Sequence, residues 1–180
     1  MRSFGSFRRP RPALPPNSVE PIPGARGPVT SRQAAEWVQA AAAAIGPHTL
    51  HLIQSGQSIL ADGRSHTWEF MVRFRDLGCT GLLSVQPSDP DGDPDAPSLS
   101  LWREFLPVRD DAATPPSLLW SFTDSPDVVA ALASAGADFV AGPTDMGIAS
   151  TFDGDGTLCW RTDALGGIIE IPDAATHEPH

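Results

Sequence analysis

The stretch ADGRSHTWEFMVRF, residues 61–74, decides the fold class because it joins a tight-turn signal to a half-buried strand. The dipeptide Asp62-Gly63 is typical of β-hairpin turns. After it, large apolar residues occupy every second position, which is the period of a strand with one buried face. These residues are Trp68, Phe70, Val72 and Phe74. We therefore predict the corner of a hairpin here rather than an active-site loop.

A second stretch, TFDGDGTLCW at residues 151–160, has a similar arrangement. In both places a predicted helix ends at a glycine shortly before the Asp-Gly pair, Asp62 or Asp153. A tryptophan follows each turn, Trp68 in the first half and Trp160 in the second. Two explanations are open. One is duplication of an α-β-β unit with an offset of about 90 residues. The other is independent use of common turn chemistry.

Two helices are predicted from their end signals. Thr30 and Gln33 have the spacing of a capping box at the start of an alanine-rich helix that ends at Gly46. The segment DSPDVVAALASAG begins the second helix with Ser125 as the expected N-cap and ends at Gly136.

Other apolar segments read as strands. They cover residues 48–60, 79–86, 98–106, 117–122, 138–152, 157–161 and 166–171. The sequence thus predicts an α+β fold: a twisted antiparallel sheet of six to eight strands with two helices packed on one face.

The chain divides by composition. Residues 1–29 are rich in proline and hold five arginines and one glutamate, so we expect a disordered, extended tail. Residues 30–172 are expected to form a single α+β domain, and residues 173–180 a frayed C-terminus. Beyond residue 29 the chain holds seven arginines and 21 acidic residues. A body this acidic disfavours binding to nucleic acid or an anionic membrane and suits a basic partner.

The pattern resembles the PepSY-like and broader cystatin-like α+β proteins. The resemblance rests on the alanine-rich helix 30–45, the Asp62-Gly63 turn, the strand 68–74 and WSFTDSPDVVAALASAGADF, residues 120–139. It implies a binding or regulatory module, which in some members acts on peptidases in the cell envelope. It implies no catalytic residues. The N-terminus has no apolar stretch of the kind that a secretory signal needs, so we expect a cytoplasmic protein.

The residue patterns that carry common chemistry are incomplete. His48 and His51 are spaced to face opposite sides of a strand, which disfavours a shared metal. Ser58 lacks the second glycine of a nucleophile elbow. The aspartate loops at 89–95 and 153–156 lack ligands that an EF-hand requires. We predict no catalytic site, no metal and no cofactor.

Cys79 and Cys159 are too few for a secreted disulfide framework, which favours two reduced, buried thiols. A bridge between them stays open at this point.

The sequence favours a non-catalytic interaction or regulatory module, of an inhibitor or immunity type, whose partner is another protein. Candidate contact residues are Arg8, Arg9 and Arg11 in the proline-rich tail, together with the acidic surface. The alternative is a small-molecule or ion-binding protein. It would use the aspartate loops or a sheet lined by tryptophans, with Trp68, Trp102 and Trp160 as candidate ligand contacts.

Overall fold

A computed structural model describes residues 12–56, 59–89, 93, 95–108, 116–139, 147–153, 156–164 and 167–173. Its two helices are α1 (Ser31–Ile45) and α2 (Ser125–Ser134). Its eight strands are β1 (Ser18–Arg26), β2 (His48–Ser55), β3 (Trp68–Phe74), β4 (Cys79–Pro87), β5 (Ser98–Pro107), β6 (Ala149–Phe152), β7 (Leu158–Ala164) and β8 (Gly167–Pro172).

All eight strands form one open antiparallel sheet, in the order β1-β5-β4-β3-β2-β6-β7-β8. Helix α1 packs against β2, β3 and β4, and α2 packs against β7 and β8. The core lies between the sheet and the helices, and the alternating face of β3 is buried in it as predicted. The predicted fold class, an antiparallel sheet of six to eight strands with two helices on one face, is confirmed.

The capping box predicted at the start of α1 is confirmed. The Thr30 hydroxyl accepts from the Gln33 N–H, and the Gln33 side chain accepts from the Thr30 N–H. In α2 the N-cap is Asp124 rather than the predicted Ser125. The reason is that the Ser125 hydroxyl is already occupied as the acceptor for the N–H of Ser31 in the other helix.

The predicted boundary of the N-terminal tail is wrong. Residues 18–26 form β1, which pairs with β5 at the edge of the sheet. Val29 is buried, and its carbonyl accepts the indole N–H of Trp68 at 2.9 Å. Prolines at 21 and 23 concealed this strand, because proline is depleted in strands except at sheet edges. Residues 1–11 lie outside the described residues.

The predicted C-terminal boundary is also wrong by one residue. Asp173 is fully buried, and its carboxylate accepts hydrogen bonds from Thr123 and from the Trp160 indole. Residues 174–180 lie outside the described residues. The strand predicted at 117–122 is absent over its described residues. Among these residues Leu118 alone pairs with the sheet, through a single bridge to Leu50. A longer strand has no room here, because β6 pairs with the same edge of β2.

The turn at Asp62-Gly63 closes a short hairpin, as predicted, and its loop has three residues. The N–H of Gly63 bonds the carbonyl of Leu60, and the N–H of Leu60 bonds the carbonyl of Arg64. Gly63 has φ +80°, and it alone in this loop has a positive φ. This is a type I turn followed by a left-handed glycine, so the two-residue type I′ geometry most typical of Asp-Gly does not apply.

The same loop geometry recurs between β6 and β7. The N–H of Gly156 bonds the carbonyl of Asp153, the N–H of Asp153 bonds that of Thr157, and Gly156 has φ +81°. Gly63 is therefore equivalent to Gly156. The predicted equivalence of Asp62 with Asp153 was wrong by two residues.

The two halves of the chain repeat the same order of elements on either side of the seam between β2 and β6. The order β4-β3-β2 on one side mirrors β8-β7-β6 on the other, with one helix over each half. At the seam, the Ser55 hydroxyl accepts from the Ile148 N–H and the Ser150 hydroxyl accepts from the Ile53 N–H. The repeated unit is thus α-β-β-β, with β1 and β5 added to the first. Duplication of one unit and independent use of common turn chemistry both stay open as explanations of this repeat.

Candidate interaction surface and seam cleft

The three tryptophans predicted to bind a ligand do not come together. Trp68 and Trp160 are 0% exposed on the helix-covered face. Their indole N–H groups are satisfied, by the Val29 carbonyl and by the Asp173 carboxylate at 2.7 Å. Both are therefore core residues. Trp102, on β5, lies on the opposite face of the sheet and is 40% exposed.

The sheet face opposite the helices, here called the open face, carries a continuous row of neighbouring side chains. Strand register sets this row, because directly paired residues point to the same side. From β1 to β8 it contains Val19, Trp102, Ser84, Glu69, Gln54, Ala149, Arg161 and Glu170. The row is apolar at the β1 end and charged at the β8 end, so the open face has two chemically distinct parts.

The apolar part is a cluster of half-exposed side chains, here called the Trp102 patch. It consists of Val19, Leu82, Trp102 and Leu106, each between 40% and 49% exposed. Val19 pairs directly with Trp102, and Leu82 lies one strand further in, opposite Glu104. A contiguous apolar surface of this kind on a folded domain marks a contact site more often than scattered single residues do.

Two carboxylates lie within and beside the Trp102 patch. A shallow groove of about 220 Å³ runs beside Trp102, and Glu69 and Glu104 contribute to its lining. Gln54 donates a hydrogen bond to Glu69 and holds that carboxylate in place. Arg103 does not neutralise these two carboxylates, because it projects to the other face and pairs with Glu20 at 2.8 Å. The patch thus combines apolar side chains with two carboxylates, Glu104 between Trp102 and Leu106, and Glu69 on its β3 side.

A cleft of about 370 Å³ opens where β2 and β6 diverge, here called the seam cleft. Glu69, Arg161 and Asp163 supply its charges, and Gln54 and Thr162 supply further polar groups. Within the described residues, Arg161 and Asp163 form no ion pair. The cleft therefore presents a cation and an anion to a ligand.

Neither cysteine is activated as a nucleophile. Burial raises the pKa of the Cys79 thiol above its ordinary value. Burial also raises the pKa of Cys159, and the negative charges of Glu170 and Asp153 add to that shift. Reactive cysteines need the opposite environment, one that favours the thiolate. Both cysteines are free and buried.

The histidines singled out in the sequence have structural contacts. His48 Nδ1 hydrogen-bonds the Gly46 carbonyl, and the buried His51 ring lies between the Thr49 hydroxyl and the Pro116 carbonyl. Among the described residues, no group of three or more His, Cys, Asp or Glu side chains is placed to hold a metal ion. Asp91, Asp155 and Ser58 lie outside the described residues.

Neither described helix is long and apolar enough to cross a membrane. Comparison with family models, with curated proteins and with solved structures found no match to this chain. The resemblance to PepSY-like and cystatin-like proteins therefore stays a prediction, and function has to be argued from the geometry alone.

Sequence reasoning missed most of the open face. Among the candidate residues it named only Trp102, while Arg8, Arg9 and Arg11 fall outside the described residues. Glu69 could be recognised in the sequence as one of the polar residues that alternate with the apolar residues of β3. Val19 was assigned to the tail, and Leu82 and Arg161 gave no signal until strand register placed them on the same face.

Proposed function

We propose that this protein is a non-catalytic interaction module and that the Trp102 patch on the open face binds a partner protein. The observation that carries this proposal is the half-exposed Trp102, with Val19 beside it on one strand and Leu82 near it on another. Tryptophan is among the residues that contribute most to binding when a partner covers it. A rigid sheet already holds these side chains in place, so association costs little conformational entropy.

The carboxylates of the patch indicate the chemistry of the partner. Glu104 lies between Trp102 and Leu106, Glu69 lies beside them, and the whole chain has a net charge of −10. A complementary surface combines apolar side chains with arginine or lysine side chains. The proposed partner is therefore a basic protein, and a regulatory role of the inhibitor or immunity type fits such a contact. Arg8, Arg9 and Arg11 stay a predicted second contact region.

Capture from a lysate of the source organism tests the proposal with matched variants. Trp102→Glu places a charge at the centre of the patch, and Leu119→Glu alters a 70% exposed residue of the 116–124 segment, outside the sheet. Both variants should melt close to the wild type. We expect a basic protein that binds the wild type and the Leu119 variant but not the Trp102 variant. Equal capture by all three would contradict the proposed surface.

The seam cleft supports a second candidate function, binding of a small zwitterion such as an amino acid. Arg161 suits a carboxylate, and Asp163 or Glu69 suits an ammonium group. Calorimetric titration with a panel of amino acids tests it, with Arg161→Ala as the variant expected to lose binding. Absence of binding to the wild-type protein across the panel would contradict this candidate.

A further inference from the structure

Among the described residues, no strand pairs with the outer edge of β8. The backbone groups along this edge follow a regular alternation. The N–H of Asp173 bonds the carbonyl of Leu158, directly across the ladder to β7. Hydrogen-bonded and non-bonded pairs alternate along an antiparallel ladder. Ile169 and Ile171 therefore bond to β7, whereas the N–H and C=O groups of Ile168 and Glu170 point away from the sheet.

The opposite edge of the sheet is interrupted within its strand, whereas β8 is regular up to its last residue. Even-numbered residues of β5 bond to β4, since Ser88 donates to Ser98 in that ladder. The odd-numbered residues then bond to β1, which leaves Val19 and Pro21 facing outward. Proline has no N–H to offer, and the β1 register also shifts between Pro21 and Arg26. Both features block pairing with another strand.

Strand β8 has an outward-facing proline too, but only at its last paired residue, Pro172. It pairs with β7 from Gly167 to Pro172 without a register shift, and its first outward-facing residue, Ile168, is 63% exposed. Glu170 is its single charged residue. The regular edge from Ile168 to Glu170 can therefore act as a template for a further strand.

We propose that β8 pairs with β8 of a second copy of this chain, antiparallel and about a twofold axis. The register places Ile169 opposite Ile169 of the second copy and Ile168 opposite Glu170. Both outward-facing residues then oppose outward-facing residues, and each such pair exchanges two backbone hydrogen bonds. A contact related by a twofold axis is closed, so it ends at a dimer.

Neighbouring registers fit less well. A shift that centres on Glu170 sets two carboxylates opposite each other, which is destabilising, and pairs Ile168 with Pro172, which has no N–H. A shift that centres on Ile168 moves Glu170 beyond the start of the partner strand at Gly167. Self-complementarity in a single register is what identifies a second copy as the occupant.

Sedimentation velocity over a range of concentrations tests this inference. The wild type should form a dimer. Glu170→Pro removes an N–H that makes no bond to β7, so it should give a folded monomer. Ile168→Glu should also give a monomer, because its carboxylate would face Glu170 of the second copy. Val19→Glu, the matched change on the protected edge, should stay dimeric.

Ile168→Lys tests the register itself. It should keep or tighten the dimer, because the new ammonium group faces Glu170 of the second copy. Melting of each variant shows that it is folded, and if Glu170→Pro does not fold, the two Ile168 variants decide. A monomeric wild type at all concentrations, or a dimer that both Ile168 variants leave unchanged or both disrupt, would overturn the proposal.

Discussion

Ser31 and Ser125 hydrogen-bond each other reciprocally, since each backbone N–H donates to the other's hydroxyl, at 2.9 and 3.0 Å. Both residues are fully buried. They begin α1 and α2, so this pair ties together the first turns of the two helices. The Asp124 carboxylate extends the contact by accepting from the Ser31 hydroxyl and the Arg32 N–H. The helices of the two halves thus meet at equivalent positions.

Removing either hydroxyl should destabilise the fold. In Ser125→Ala the buried N–H of Ser31 loses its acceptor, and an unsatisfied buried donor costs roughly 1–3 kcal/mol. Ser31→Ala should cost less, because the Ser125 N–H keeps the Asp124 carboxylate as an acceptor. The double variant should cost less than the sum, because the two residues share one network. Ser134→Ala, on the exposed side of α2, is the control and should change stability by less than about 0.5 kcal/mol in urea unfolding.

The tryptophans should separate into two classes. Trp68→Ala and Trp160→Ala should each lower the free energy of unfolding by roughly 3–5 kcal/mol, the usual cost of removing a buried large aromatic side chain. Trp102→Ala should cost much less, because its side chain is already 40% exposed. Denaturant unfolding of the three variants measures this. A Trp68→Ala protein as stable as Trp102→Ala would show that the Trp68 ring is not part of the core.

Two glycines with the same backbone conformation should respond differently to alanine. Gly63 and Gly156 have φ +80° and +81°. At Gly156 an added Cβ meets no atom of the described residues within 4 Å, so Gly156→Ala should cost only the left-handed penalty of roughly 1–2 kcal/mol. At Gly63 the same Cβ would collide with the backbone of Pro126.

Gly63→Ala should therefore cost clearly more than Gly156→Ala, because the hairpin and the start of α2 must move apart. Both variants carry the same penalty for a left-handed alanine, so the difference between their stabilities measures the collision at Gly63 alone. Equal losses in melting temperature would mean that the hairpin does not pack against α2 as described.

Because both thiols are buried, the free energy of unfolding should fall at alkaline pH. Burial holds the pKa values of Cys79 and Cys159 above the ordinary value of 9.0. A thiol with a higher pKa in the folded state stabilises the fold below its unfolded pKa, and this stability is lost as pH rises through the folded pKa. The chain has no tyrosine or lysine to obscure the effect.

Unfolding free energies measured between about pH 8 and about pH 10 should fall in the wild type more steeply than in the Cys79→Ala, Cys159→Ala double variant. A thiol reagent at about pH 8 should also label the folded protein far more slowly than the unfolded chain. Identical pH slopes for the two proteins would contradict the burial of the thiols.

The elements that local chemistry encodes were predictable from the sequence. The period of the residues from Trp68 to Phe74, the capping box at Thr30 and the turn glycine at Gly63 act over a few positions. Long-range pairing is not encoded in this way. Strand β1 contains prolines that are acceptable only because its partner lies on one side, and residues 117–122 have strand composition but no continuous partner edge.

The candidate surface shows the same limit. Val19, Leu82 and Trp102 are far apart in sequence and come together through the β1–β5 and β4–β5 registers. Exposed tryptophan and core tryptophan also look alike in sequence. Only the sheet topology shows that Trp102 faces away from both helices while Trp68 and Trp160 face toward them.

Hydroxyl-radical footprinting of the protein with and without its captured partner tests the central claim most directly. We predict that oxidation of Trp102, Leu82 and Val19 falls in the complex, while Leu119 is oxidised to the same extent in both samples. Protection of Leu119 with unchanged oxidation of Trp102 would contradict the claim that the open face is the binding surface.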